Sequence, residues 1–259
     1  MKKTILFTLL LTIFGYGIQA QTADEIIDNY LDAIGGKEKL EKLEGLHIKA
    51  KAQTQGMEIP AEIYMFNDGK ILMKFNFQGK EITQMAFDGN EAWGMNMMNQ
   101  KPEKLDKEAT ENIKKNAKDG FPNPFLNYKE KGYKVEFMGK EEIEGTETYK
   151  IKLTQHPIMK DGKEVPEISY YYFDTENYVP IVKETPITEG PYQGKKSQEV
   201  YSDYQEVNGI YFPFTTTNKF NGMTGQTVKI DSIEINPKLD DSAFKFPENK
   251  EKDTKDQGK

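Results

Sequence analysis

Leu46-His47-Ile48-Lys49-Ala50-Lys51-Ala52-Gln53, Met57-Glu58-Ile59-Pro60-Ala61-Glu62-Ile63-Tyr64-Met65-Phe66 and Ile71-Leu72-Met73-Lys74-Phe75-Asn76-Phe77 are the stretches that decide the fold. In each, alternate residues form an apolar set, the period of a strand with one face against a core. Short Gly-containing turns join them, Asn67-Asp68-Gly69 and Gln78-Gly79-Lys80 among them, as in antiparallel hairpins. Glu81–Phe87 and Glu91–Met98 continue the pattern around Asp88-Gly89-Asn90. Five strands in succession predict an antiparallel meander. Several exceed the usual length of about five or six residues, as a curved sheet or open barrel requires.

The rest of the chain extends this sheet and adds helices. Thr22-Ala23-Asp24-Glu25 has the form of a capping box, a hydroxyl with a carboxylate three residues on. Ile26, Ile27, Tyr30, Leu31 and Ile34 then recur at helical spacing until Gly35-Gly36 stops the helix. A second short helix is expected over 37–44. Further strands are expected at Tyr133–Phe137, Thr146–Gln155, Glu167–Phe173, Tyr178–Thr185, Ser197–Glu206, Ile210–Phe220 and Gln226–Ile235. Between the two groups of strands, Pro102–Asp119 reads as an amphipathic helix with a narrow stripe of Leu105, Ala109, Ile113 and Ala117. Phe121-Pro122-Asn123-Pro124-Phe125 follows as a loop carrying two exposed aromatics.

The termini read differently. Lys2 and Lys3, an apolar run from Ile5 to Phe14 and small residues near Ala20 predict a secretory leader over 1–20. That run is shorter than the roughly 20 residues that span a bilayer, and no Cys follows it to be acylated. A soluble exported protein starting near Gln21 is expected, with one domain over 21–247 and a disordered charged tail over 248–259.

Composition removes whole classes of function. The net charge is −7; without the leader, 33 Lys face 42 acidic residues, a formal charge of −9. That balance argues against nucleic acid, which is held by clustered positive charge. No Arg occurs, so bidentate clamping of phosphate or carboxylate is unavailable. No Cys occurs, which removes a thiol nucleophile, thiolate zinc and disulfides. The five Ser, at 169, 197, 202, 232 and 242, lie outside any G-x-S-x-G turn. His47 is expected on the solvated side of its strand and His156 in a turn before Pro157. No catalytic set, metal site or cofactor site is therefore expected, and a hydrolase is disfavoured.

What remains is a candidate apolar concavity. Seven of the ten Met residues after Met1 fall between 57 and 98, together with Trp93. Met is flexible and polarizable, suited to accepting variable apolar shapes, although it also fills cores. The expected lining is Ile63, Met65, Met73, Phe75, Phe77, Trp93, Met95 and Met97, with Leu105, Ile113, Phe121 and Phe125 on a cover formed by Pro102–Phe125.

The layout resembles a known family. The carrying motifs are Ala23-Asp24-Glu25-Ile26-Ile27, Ala33-Ile34-Gly35-Gly36-Lys37-Glu38, Tyr201-Ser202-Asp203-Tyr204, Val207-Asn208-Gly209-Ile210, Phe212-Pro213 and Leu239-Asp240-Asp241-Ser242-Ala243-Phe244. Together they resemble the periplasmic lipoprotein-carrier superfamily, and within it the outer-membrane lipoprotein-sorting-like proteins of Bacteroidetes-type bacteria. The resemblance implies a mainly β fold, a strongly curved antiparallel sheet of about eleven strands forming an open half-barrel around N-terminal and inserted helices. It implies a periplasmic monomer that shields acyl chains of lipoproteins or other lipids without catalysis, and that meets partner proteins of the inner or outer membrane. The alternative is a periplasmic sensor that binds a protein segment on the same scaffold. The best-studied carriers close their lid with an Arg, and this chain has none to supply that contact.

Overall fold

The computed structural model describes residues 21–188 and 190–247. The expected leader over 1–20 and tail over 248–259 lie outside the described residues. Helix α1 (Ala23–Ala33) opens with the capping box: Thr22 Oγ1 accepts from the Glu25 amide and the Thr22 amide donates to Glu25 Oε2, at 3.2 and 2.8 Å. The turn to α2 (Lys37–Glu41) passes through Gly35 at φ +126°, where a Cβ would lie 2.4 Å from the Gly209 carbonyl oxygen. Only glycine fits both that backbone and that approach. The adjoining Ile34 carbonyl accepts from the Tyr211 amide at 3.0 Å, which ties the end of α1 to the C-terminal strands.

Among the described residues fifteen strands follow: β1 (Gly45–Thr54), β2 (Met57–Phe66), β3 (Ile71–Phe77), β4 (Lys80–Phe87), β5 (Ala92–Asn96), β6 (Lys101–Lys104), β7 (Lys134–Ile143), β8 (Thr146–Thr154), β9 (Ile158–Lys160), β10 (Lys163–Val165), β11 (Ile168–Asp174), β12 (Pro180–Pro186), β13 (Lys196–Val207), β14 (Ile210–Phe220) and β15 (Met223–Ile235). Helix α3 (Lys107–Gly120) lies between β6 and β7. Thirteen strands form one sheet in the order β6-β5-β4-β3-β2-β1-β15-β14-β13-β12-β11-β8-β7, every pairing antiparallel, and β9 with β10 forms a separate hairpin. Its edges, β6 and β7, do not pair, so the sheet is not closed into a barrel. The expected count of about eleven strands is therefore too low. The inserted segment is also divided: 101–104 pairs with β5 as an edge strand, and the helix begins only at Lys107.

Register sets the two faces. Ile48, Ile63, Met73 and Met85 stand opposite one another across β1 to β4, as do Leu46, Met65, Ile71 and Phe87. Residues one position along from these share the other face. On the first face, Ile26, Ile27, Tyr30, Leu31 and Ile34 of α1 join the principal core with Leu46, Ile151, Leu153, Phe173 and Phe125. On the other face His47, Tyr64, Leu72, Ala86 and Trp93 form a row. There Leu72, Ala86 and Trp93 pack on Phe244 of the 3-10 turn Asp241–Phe244. Trp93 Nε1 donates to the Phe244 carbonyl at 2.7 Å, satisfying the indole as it is buried.

His47 departs from expectation. It is only 8% exposed, its ring stacked 3.9 Å from that of Tyr64 and its nitrogens 3.4 and 3.5 Å from Glu62 and Glu234. Its strand position is on the outer side as expected, but neighbouring rows cover it. His156 is exposed, edge-on to Tyr133.

Candidate functional site

Between α3, the end of α1 and the first face of the sheet lies a cavity of about 750 Å³, inside the roughly 300–1,000 Å³ range of ligand pockets. Its apolar wall comes from Met65, Phe66, Ile71 and Met85 on β2 to β4. Ile113, Ala117 and Gly120 of α3 and the Phe121–Pro124 loop form the cover side. Tyr204, Ile210, Phe212 and Pro213 close it from β13 and β14.

The opposite wall is polar. Tyr171, Lys183 and Glu199 stand in one row across β11, β12 and β13, and all three line the cavity with Gln155, Glu167 and Tyr201. The Lys183 ammonium pairs with Glu199 Oε1 at 2.9 Å, and the Tyr201 hydroxyl donates to Glu199 Oε2 at 2.8 Å. Asn116 of α3 donates to Glu167 Oε1 at 3.4 Å, while Glu167 Oε2 is buried with no hydrogen-bond partner among the described residues. Burial pushes the Glu167 carboxyl above the ordinary glutamate range, against the opposing pull of the Lys183 charge and the Asn116 contact. Burial also raises the Tyr171 hydroxyl, and the nearby Glu199 and Glu167 carboxylates add to that.

The expected lining is only partly assembled here. Met65 lines the cavity, and so do Ile113 and Phe121 from the cover. Ile63 and Met73 share the face of Met65, as does Phe75 by pairing with Ala61, but none of the three borders the cavity. Phe77, 39% exposed, sits at the end of β3 beside a hairpin turn. Trp93 must be moved to the opposite face, because it pairs with Ala86 and is sealed under Phe244. Met95 follows it there by strand parity, and Met97, 64% exposed, lies in the turn after β5. Leu105 donates its amide to the Ala92 carbonyl at 2.8 Å and lines a small separate cleft at the start of α3. Phe125, expected on the cover, lies in the core instead: it is 1% exposed and edge-on to Tyr30, Tyr171 and Phe173, with centroids 4.8 to 6.0 Å apart.

Helix α3 and Phe121 bound this side of the cavity, and the helix is held mainly by polar contacts. Asn112 exchanges two hydrogen bonds with the Met159 backbone, at 2.6 and 2.9 Å. The Glu108 carboxylate accepts from the amides of Asp161 and Gly162, both at 2.8 Å. Thr110 alone of the helix is buried. Beyond the helix the chain is fixed, because Asn123 donates to the Tyr30 hydroxyl at 2.5 Å and Lys131 to the Asp119 carbonyl at 2.6 Å. Hydrogen bonds of this kind contribute about 0.5–1.5 kcal/mol each, because water replaces them on opening. Asn112→Ala should therefore speed amide exchange across Lys107–Gly120 by about tenfold or more and leave α1 unchanged. Equal protection of α3 in variant and parent would show that these contacts do not hold it.

The polar wall is what reading the sequence missed. In β2 and β3 the apolar alternation lines the cavity side. In β12 and β13 it points away from it, because Val182 and Val200 pair on the opposite face while Lys183 and Glu199 turn inward. Charged residues at the inward parity of Val182-Lys183-Glu184 and Glu199-Val200-Tyr201 were the available signal.

No protein-family model and no curated protein sequence matches the chain. Solved structures do. A LolA superfamily protein from Nitrosomonas europaea is similar over 87% of this chain and 98% of its own, at 12% identity and TM-score 0.54. A domain described with outer membrane lipoprotein-sorting proteins, from Vibrio parahaemolyticus, is similar over 86% and 97%, at 8% identity and TM-score 0.53. The open antiparallel sheet with its helices is thus a fold shared with these two solved structures.

Proposed function

We propose that the protein is an exported, non-catalytic carrier that shields acyl chains of lipids or lipoproteins in the cavity beneath α3. The observation that carries this reading is the 750 Å³ cavity itself, walled on one side by Met65, Phe66, Ile71 and Met85. Each methylene moved from water into such a wall gains about 0.8 kcal/mol. A sixteen-carbon chain would gain on the order of 10 kcal/mol before ordering costs, so no charged clamp is needed. The fold shared with the LolA superfamily and the leader-like N-terminus support a periplasmic setting. Helix α3 is the cover: it opens by exchanging its polar contacts with the β9–β10 hairpin for water, and no bond is made or broken.

The test is a native mass spectrum of protein purified without detergent, paired with titration of a fluorescent acyl probe. Co-purified acyl species, or saturable one-to-one probe binding that added lipid reverses, is the expected result. An empty protein that binds no probe would overturn the proposal, and a bound protein segment in its place would favour the sensor.

A further inference from the structure

We propose that the polar wall around Glu167 is a headgroup subsite that selects a cargo whose polar end donates hydrogen bonds and carries no negative charge. An amine, or a secondary amide adjoining the acyl chain, has that chemistry. The inference rests on the carrier reading and sharpens it, naming which class of amphiphile the cavity takes.

The ammonium of Lys183 and the hydroxyl of Tyr201 both bond Glu199, at 2.9 and 2.8 Å, so the Lys183 charge is already paired with a carboxylate. Glu167 Oε2 is a buried acceptor without a partner among the described residues, and its sister oxygen meets the Asn116 amide at 3.4 Å. A buried acceptor without a donor is costly, and a ligand N–H placed against it removes that cost. Two carboxylates face one Lys here, so an ionised wall carries net negative charge and repels an anionic head. No Arg exists to reverse that balance. The apolar wall of Met65, Ile71 and Met85 lies on strands far along the sheet from β11 to β13. One ligand can therefore set its tail against β2 to β4 and its head against Glu167.

The experiment is displacement of the neutral probe N-phenyl-1-naphthylamine from the full mature chain by three sixteen-carbon competitors: hexadecylamine, N-hexadecylacetamide and palmitate. The amine and the amide should compete at concentrations about tenfold below that of palmitate, a difference of about 1.4 kcal/mol. Glu167→Gln should narrow the gap between amine and palmitate to about threefold or less, with the probe still bound. Should that variant fail to fold, Asn116→Asp on the solvent-facing cover serves instead and should widen the same gap. Palmitate competing as well as the amine and amide, or a ratio that neither variant changes, overturns the subsite and leaves the carrier reading standing. Failure of the probe and all three competitors to bind overturns the carrier reading, and the subsite falls with it.

Discussion

Phe125→Ala should cost about 3–5 kcal/mol of folding stability, the range for deleting a buried aromatic ring. The ring is 1% exposed and sits edge-on against Tyr30, Tyr171 and Phe173, so truncation opens a void where α1 meets β11. Those neighbours are themselves fixed. The hydroxyl of Tyr30 is held by Asn123, whose Oδ1 also accepts from the Phe125 amide at 2.9 Å. The site therefore has little freedom to collapse around the missing ring, which places the cost toward the upper end. Phe121 is the comparison. It lies four residues earlier, borders the cavity and is only partly buried, so Phe121→Ala should cost about 1–2 kcal/mol. Denaturant unfolding of both variants at unchanged slope measures the difference. Similar costs for the two would return Phe125 to the cavity-bounding segment.

That contrast shows what local sequence can resolve. Period two in 46–77 decided strand identity and much of the register, because an error of one residue would turn Ile48, Ile63 and Met73 to the wrong face. The stripe Ile26, Ile27, Tyr30, Leu31 and Ile34 identified α1 and its buried side. Both are local patterns. Phe121 and Phe125 look alike in Phe121-Pro122-Asn123-Pro124-Phe125, and nothing local separates a ring over a cavity from one inside a core. Their difference comes from Tyr30 and Tyr171, which are distant in sequence.

Trp93 shows the same limit one step further on. Its strand alternates correctly with Met95, yet which face that set occupies depends on the turn around Asp88-Gly89-Asn90, which places Trp93 opposite Ala86. The segment Leu239–Phe244 then covers that face from the other end of the chain. For the polar wall the local pattern misleads, since inward residues of β12 and β13 are charged and the apolar ones lie behind. A rule that reads the apolar side as the cavity side holds for β2 to β4 and inverts for β12 and β13. The long count of strands was hidden for a simpler reason. β6 is four residues with Pro102 among charges, and β9 and β10 are three each, too short for a period to register.

Ala117→Trp should lower affinity for an acyl probe by at least about tenfold, 1.4 kcal/mol or more, while the folded state persists. Ala117 borders the cavity from α3, and the helix here buries little of its own surface, so a larger side chain meets space before it meets packed atoms. The helix-propensity cost of Trp for Ala is at most about 0.7 kcal/mol. The indole would instead lie along the wall of Met65, Ile71 and Met85 and occupy volume the acyl chain needs. Its apolar contacts there would also hold α3 down, so probe association should slow and α3 amides should exchange less readily than in the parent. Lys114→Trp is the matching control, since Lys114 is exposed on the same helix and does not border the cavity; it should leave affinity within about twofold. An Ala117→Trp protein that binds the probe as the parent does would place the acyl chain somewhere other than beneath α3. Loss of binding together with loss of the unfolding transition would instead make Ala117 part of the packing that holds the helix in place, and the smaller Ala117→Leu, which fills less of the cavity, would then have to give an intermediate affinity on a folded background for the cavity to remain the binding site.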